Sequence, residues 1–188
     1  MKVKIGVSAR HIHLTKEDFV LLFGEGCSIT KRSQLNQPGE YSCNETVNII
    51  TEKGTLENVR VIGPLRNYTQ VEISKTDSYF LGINPPVRNS GDIINAAKVT
   101  IENNGKKIER ECCIIANRHI HVKREDLETY GFTDNQLVKV KLYGLKGGTI
   151  DNVVIKSSDD YVLELHIDLD DANAHLVNNG DIGEIIYE

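Results

Sequence analysis

Two copies of a His-x-His motif are the residues of this sequence best suited to chemistry. They are His11-Ile-His13 and His119-Ile-His121. In a β-strand, positions i and i+2 point to the same face, so each pair could hold one metal ion. A single motif of this kind is a weak signal, and ordinary strand histidines are the alternative interpretation.

The two motifs belong to an internal duplication. Residues 7–19 return as residues 115–127 without a gap, and both copies contain Arg-His-Ile-His. Residues 54–77 match residues 148–171, also without a gap, and residues 89–93 match residues 178–182. A period of about 100 residues is too long for a solenoid and predicts two similar small domains.

The duplication supplies a third candidate ligand for each motif. Glu72 falls opposite His166 in the second ungapped match, and apolar residues flank both. His₂Glu and His₃ are ligand sets of catalytic zinc sites that leave one position open, whereas closed structural sites recruit a fourth ligand. The sequence therefore predicts two open metal sites, with the ligands His11, His13 and Glu72 and the ligands His119, His121 and His166.

Composition limits the classes of protein that fit. The chain has 188 residues, of which 39% are hydrophobic and 26% charged, and its net charge is −5. An acidic balance argues against a general nucleic-acid binder, which needs a basic face. No apolar run approaches the ~20 residues of a membrane span, so an integral membrane protein is not expected. The four cysteines form no CxxC pair, which favours a reduced, cytoplasmic setting over a disulfide framework.

Short strands dominate the predicted secondary structure. Turns rich in Gly, Asn, Asp and Lys separate the strands, and brief helix signals cover residues 16–23, 124–130 and 170–176. Regularly spaced strands with few helices predict a mainly β fold of two similar β-barrel domains with short capping helices. Residues 24–45 have no counterpart of equal length in the second half, so we expect an insertion or a long surface loop there.

Arginine supplies a candidate anion site. Arg66 lies in a turn that leads directly into the strand of Glu72, near the expected metal. A guanidinium beside a metal is a two-pronged anion site. Arg88 is a second loop arginine with weaker support. Arg10 and Arg118 directly precede the histidine motifs, and both a salt bridge and a ligand role are open for them.

Four motifs in a fixed order resemble the PduL-type phosphotransacylases, the phosphate propanoyltransferases first associated with propanediol utilisation. The motifs are Val7–His13, Gly63–Ser74, Asn117–Val122 and Leu165–Ala174. The resemblance covers almost the whole chain. It implies reversible transfer of a short acyl group, propionyl or acetyl, between CoA and inorganic phosphate, giving acyl phosphate and CoA by direct attack of phosphate at a dizinc site.

The resemblance also implies cofactors, site residues and assembly. It implies two Zn²⁺ per subunit and a homodimer, and it places the phosphate-binding arginine at Arg66. Its metal ligands fall on the same six residues that the duplication indicates. It further implies that the N-terminal strand joins the C-terminal barrel, which divides the chain into residues 10–116 and residues 1–9 plus 117–188.

Other expectations concern location and alternative functions. The first predicted strand begins at Met1, and the N-terminal extension of microcompartment-associated relatives is not seen, which favours a cytoplasmic enzyme linked to an acetate or propionate kinase. The alternatives are a cupin-like metal-dependent oxygenase, a non-catalytic metal-binding barrel and a hydrolase. Glu17 and Glu125 follow the histidine motifs by four residues, which imitates a cupin pattern.

Overall fold

The computed structural model describes residues 1–187 and contains two compact units. One unit, called here the first barrel, is Arg10–Ala116. The other, called the second barrel, combines Met1–Ala9 with the chain from Asn117 onward. The chain therefore leaves the second barrel after Ala9 and returns to it at Asn117.

Fourteen strands and four short α-helices make up the described part of the chain. The strands are β1 (Lys2–Ser8), β2 (His11–His13), β3 (Lys31–Gln34), β4 (Tyr41–Ile50), β5 (Thr55–Gly63), β6 (Gln70–Glu72), β7 (Val87–Arg88), β8 (Ala97–Asn103), β9 (Lys106–Ala116), β10 (His119–Lys123), β11 (Leu137–Leu142), β12 (Gly148–Ser158), β13 (Glu164–Asp168) and β14 (Ile182–Ile186). The helices are α1 (Lys16–Phe23), α2 (Lys75–Leu81), α3 (Leu127–Tyr130), which follows a 3₁₀ turn over Arg124–Asp126, and α4 (Leu169–His175).

Six strands close the first barrel. The order is β4, β5, β2, β6, β9 and β8, and β8 pairs back to β4. Strand β2 runs parallel to β5 and antiparallel to β6, so the histidine motif lies next to the strand of Glu72. Strands β3 and β7 add to this barrel outside the closed ring.

The second barrel repeats this arrangement strand for strand. Its closed order is β11, β12, β10, β13, β1 and β14. Strand β10 runs parallel to β12 and antiparallel to β13, and β1 runs parallel to β13 as β9 does to β6. The N-terminal strand thus joins the C-terminal barrel, where it occupies the place that β9 has in the first. The predicted fold of two similar barrels from a duplication is confirmed.

Each barrel has its own apolar core. On each strand the apolar side chains point into this core, so the alternating polar side chains point away from it. Ile12 and Ile120, the central residues of the two histidine motifs, are completely buried in these cores. Because side chains alternate along a strand, the flanking histidines face away from the core.

The helices are short and capped by side chains. The hydroxyl oxygen of Thr15 accepts a hydrogen bond from the backbone N–H of Asp18 at the start of α1. Helix α2 was not predicted, although Ser74 and Asp77 form a complete capping box at its start. No helix within residues 1–187 combines the length and apolar character needed to cross a membrane.

Of the two expectations for residues 24–45, an insertion or a long surface loop, the loop needs correction. This stretch contains β3 and the beginning of β4, which pair antiparallel. All four residues of β3 are polar and exposed, so they lack the apolar alternation by which strands are recognised in a sequence.

Candidate metal centres

The strand register brings the first predicted ligand set together. His11 lies directly opposite Glu72 on the neighbouring strand. The Nε2 atom of His11 is 3.5 Å from one carboxylate oxygen of Glu72, and Nε2 of His13 is 4.0 Å from the other. A tetrahedral ion with bonds of about 2.1 Å places its ligand atoms about 3.4 Å apart. The two measured separations are slightly longer than this value. A small movement of the side chains toward one another would therefore give the ligand spacing of a tetrahedral metal site.

The chemistry of these donors also fits a metal. Burial, and then the neighbouring His11 and Arg66 side chains, hold the pKa of His13 well below its ordinary value. His13 is therefore neutral at pH 7, and a neutral imidazole is the form that binds a metal. Its Nδ1 atom is buried and has no hydrogen-bond partner among the described residues, so the protein alone does not satisfy this ring.

The second ligand set is assembled by the equivalent strands. His119 lies directly opposite His166, and the rings of His119, His121 and His166 lie with centroids 4.5 to 5.1 Å apart. The Nδ1 atom of His119 is 2.8 Å from the carbonyl oxygen of Asn117, so in the neutral ring Nδ1 donates and Nε2 keeps its lone pair. Burial, and then Lys156 and His166, hold the pKa of His119 well below its ordinary value.

The potential ligand atoms lie close together in both sets. In each set, one potential ligand atom from every residue lies within 4.8 Å of those from the other two. The sets are His11, His13 and Glu72, and His119, His121 and His166, which are the six residues named from the sequence. Neither group includes Glu17 or Glu125, the residues of the cupin-like pattern.

Arg66 is connected to the first set by hydrogen bonds. Its Nη1 donates to the hydroxyl groups of Tyr68 at 2.6 Å and Ser90 at 3.3 Å. The Ser90 hydroxyl also accepts a hydrogen bond from Nε2 of Gln70 at 2.9 Å, and the same nitrogen donates to Glu72 at 2.6 Å. The predicted anion-binding residue therefore shares one network with a predicted metal ligand.

A carboxylate occupies the other end of this guanidinium. Nη2 of Arg66 is 2.7 Å from Oε1 of Glu40, a residue in the segment between β3 and β4. Both side chains retain partial exposure, 21% for Arg66 and 28% for Glu40. The guanidinium is accordingly held by two hydroxyl groups and one carboxylate while solvent can still reach it.

The arginines that precede the histidine motifs have a structural arrangement of their own. Arg10 pairs with Asp77 at 2.8 Å, and Arg118 pairs with Asp171 at 2.6 Å. These are equivalent residues in the two copies, and each aspartate lies in the first turn of the helix that follows the third-ligand strand. Of the two roles left open by the sequence, the structure shows the salt bridge.

The remaining candidates lie outside both clusters. Arg88 donates to the carbonyl of Ile94 at 3.1 Å, within its own loop. Burial raises the pKa of the thiols of Cys112 and Cys113, and raises that of Cys43 to about 11. These three thiols are therefore poor nucleophiles at neutral pH.

Sequence reasoning missed four polar residues around these sites. Gln70 and Glu164 each precede the third ligand by two positions, and the ungapped match aligns them with each other, so that signal was present. Ser90 and Glu40 reach Arg66 from segments distant in the chain. Ser90 lies in the repeated stretch 89–93, but neither that match nor any pattern around Glu40 indicates a contact with Arg66.

Comparison with known proteins identifies the family of the chain. The family model described as phosphate propanoyltransferase matches residues 4–178. The phosphate propanoyltransferase of Thermotoga maritima is 47% identical over 184 residues, which cover 97% of this chain and 88% of that protein. The protein of the same name from Priestia megaterium is 47% identical over 188 residues, covering 99% of this chain and 87% of that protein.

The chain belongs to the phosphate propanoyltransferase family. A third relative, the phosphate propanoyltransferase of Clostridioides difficile, is 41% identical over 185 residues, covering 98% of this chain and 88% of that protein. Membership identifies the chain as an acyltransferase with phosphate acyltransferase activity. It decides against the cupin-like oxygenase and the non-catalytic barrel.

Proposed function

We propose that this phosphate acyltransferase moves a short acyl group, propionyl or acetyl, between CoA and inorganic phosphate with the help of two zinc ions. The observation that carries the proposal is the hydrogen-bond chain from Arg66 through Ser90 and Gln70 to Glu72. It joins an anion-binding group to a metal ligand, which is the combination that a phosphate substrate beside a metal requires.

Arg66 is the residue we assign to phosphate. Its guanidinium carries several N–H donors in one plane, a shape that matches two phosphate oxygens. Tyr68 and Ser90 accept from Nη1 and so fix the plane of the group. Phosphate bound there would replace Glu40 as the partner of Nη2, because both offer anionic oxygens to the same donor.

The reaction needs no activating base. Phosphate is already anionic at pH 7, and one of its oxygens attacks the carbonyl carbon of the thioester. The new C–O bond forms, the C–S bond breaks, and the proton lost from phosphate ends on the released CoA thiol. Holding the two reactants in the correct orientation is itself a large contribution to the rate.

The two histidine-containing sets are the residues that would hold the metal ions. His11, His13 and Glu72 would bind one zinc, and His119, His121 and His166 the other, which leaves each ion a position for substrate. Zinc bound there would supply Lewis-acid stabilisation of the negative charge that develops on oxygen as phosphate attacks. The salt bridges of Arg10 and Arg118 hold the helices that follow the third-ligand strands.

We also infer a homodimer and a link to an acetate or propionate kinase, because acyl phosphate is an activated phosphoryl donor that such a kinase consumes. These inferences rest on the family resemblance and not on any contact described above. Sedimentation analysis of the purified protein tests the dimer.

Release of free thiol tests the proposed reaction. Purified zinc-loaded protein is incubated with propionyl-CoA or acetyl-CoA, with and without inorganic phosphate, and acyl phosphate is measured as its hydroxamate. We expect thiol release that requires phosphate and equals acyl phosphate formed, and the ratio of the two rates identifies the preferred acyl group. Release without phosphate would instead indicate a thioesterase.

A further inference from the structure

The residue two positions before the third ligand differs between the barrels in a systematic way. In the first barrel this residue is Gln70, which lies opposite His13. In the second it is Glu164, which lies opposite His121. The third ligands differ in the opposite sense, Glu72 in the first barrel and His166 in the second. Each barrel therefore has one carboxylate in this pair of positions. It is the third ligand in the first barrel, and the residue two positions earlier in the second.

The hydrogen bonds are reversed in the same way. In the first barrel the amide of Gln70 donates to the carboxylate of Glu72 at 2.6 Å. In the second barrel Oε2 of Glu164 lies 2.9 Å from Nε2 of His166. In the first barrel the residue at position i donates and the residue at i+2 accepts, whereas in the second barrel the carboxylate at position i accepts and the imidazole at i+2 donates. The contact between positions i and i+2 is preserved.

A glycine makes room for this carboxylate. Gly6 lies beside His166 in the strand register, whereas the equivalent neighbour of Glu72 is Ile114. A Cβ atom on Gly6 would lie 3.1 Å from both Cδ and Oε1 of Glu164, a tight contact that requires the Glu164 side chain to shift by a few tenths of an ångström. The Glu164 carboxylate in the second barrel therefore occupies space that corresponds to the side chain of Ile114 in the first.

Burial makes the charge of Glu164 significant. Glu164 is only 3% exposed, and buried carboxylates are retained where they have a positive or hydrogen-bonding partner. Three neutral imidazoles around a divalent ion leave two positive charges uncompensated, while the set that contains Glu72 leaves one. A carboxylate at position 164 brings the second set to the same balance as the first.

We propose that Glu164 is a positioning residue of the second metal centre, which orients His166 and supplies the negative charge that the three histidines lack. The inference rests on the proposed zinc sites and deepens them, because it makes the two centres electrostatically equivalent. Partners that hydrogen-bond a metal-binding histidine in this way typically change metal affinity by about 10- to 100-fold when they are removed.

Zinc affinity of a single centre tests the proposal. The background variant Glu72→Ala disables the first set, and titration with Zn²⁺ against a competing chromophoric chelator then reports the second alone. In that background we expect Glu164→Gln, which keeps the shape of the side chain, to weaken zinc binding about 10- to 100-fold. Glu184→Gln is the matched control, since Glu184 lies in the same barrel and accepts from Tyr143, and it should leave zinc affinity unchanged.

A second variant tests the geometry while it retains the carboxylate. Gly6→Ala displaces Glu164 by steric contact and should weaken zinc binding at the second set in the same direction. Thermal unfolding of the zinc-free proteins separates positioning from simple stability. We expect the unfolding midpoint of zinc-free Glu164→Gln to match that of its parent, and the stabilisation by zinc to shrink.

The outcomes distinguish this inference from the function on which it rests. If the unsubstituted protein binds fewer than two zinc ions, the proposed metal centres are wrong. If it binds two and Glu164→Gln binds zinc as tightly as its parent, the centres stand and the role of Glu164 is overturned. A lowered midpoint of zinc-free Glu164→Gln with unchanged zinc affinity would likewise assign Glu164 a purely structural role.

Discussion

Arg66 and Glu40 form an ion pair in which Nη2 and Oε1 are 2.7 Å apart. The two residues come from different parts of the first barrel, Arg66 from the turn before β6 and Glu40 from the segment that precedes β4. Because phosphate and carboxylate oxygens accept from the same donors, the Glu40 carboxylate is a competitor for the site that we assign to phosphate.

Removing this competitor should improve phosphate binding. Partly exposed ion pairs of this kind contribute about 0.2–1 kcal/mol, so Glu40→Gln should lower the KM for phosphate by up to about fivefold. Steady-state kinetics at varied phosphate check this, with Glu45→Gln as the control from the same strand pair, since Glu45 accepts from Thr30 instead. A higher KM for phosphate in Glu40→Gln would show that Glu40 assists phosphate binding.

Substitution of Arg66 should separate phosphate binding from metal binding. A hydrogen bond to a charged group contributes about 1.5–3 kcal/mol, so Arg66→Ala should raise the KM for phosphate about 10- to 100-fold. Zinc content, measured by atomic emission, should remain that of the parent. Arg88→Ala provides the control because Arg88 contacts its own loop. Parallel loss of zinc and of phosphate use would contradict the role assigned to Arg66.

A buried carboxylate next to the third-ligand strand should matter for stability. Asp18 is 4% exposed, accepts two hydrogen bonds from Arg110, and accepts one from the hydroxyl of Thr69, the residue before β6. Asp18→Asn turns one acceptor oxygen into a donor and should cost about 1–3 kcal/mol in the free energy of unfolding. Urea denaturation measures this change.

The neighbouring residue offers a control for that stability change. Glu17 is exposed and belongs to neither ligand set. Glu17→Gln should therefore leave the zinc content unchanged and cost less than about 1 kcal/mol in the free energy of unfolding, the contribution of one acidic side chain in the first turn of a helix. A loss of zinc in this variant would indicate that Glu17 is a metal ligand, as in the cupin-like pattern.

The cysteines should not take part in catalysis. Cys27 is exposed, whereas Cys43, Cys112 and Cys113 are buried, and burial raises the pKa of each of these three thiols. Iodoacetamide at pH 8 should label Cys27 alone in the native protein and all four cysteines after denaturation, as counted by mass spectrometry. Labelled native protein should retain full activity; labelling of Cys112 or Cys113 with loss of activity would point to an acyl-cysteine intermediate.

The duplication made most of the fold predictable from the sequence. Two copies that align without gaps across the ligand strands specify equivalent registers, so the pairing of His11 with Glu72 predicts that of His119 with His166. Helix α2 could have been found by the same alignment, because Asp77 corresponds to Asp171 in α4.

Other features depend on contacts that no local pattern records. Strand β3 is polar and exposed along its whole length, so it lacks the alternation that indicates a strand. Glu40 reaches Arg66 across 26 positions of sequence, and Ser90 across 24. The exchange of donor and acceptor between Gln70 and Glu164 was visible in the alignment, but its meaning required the strand register and the space beside Gly6.

Zinc titration of catalytic activity tests the central claim most directly. Protein stripped with a chelator is given Zn²⁺ in increments, and phosphate-dependent thiol release from propionyl-CoA is measured at each addition. We predict no activity in the stripped protein and a rise that ends at two equivalents of zinc per chain. Full activity without metal, or a rise that ends at one equivalent, would contradict the two-zinc mechanism.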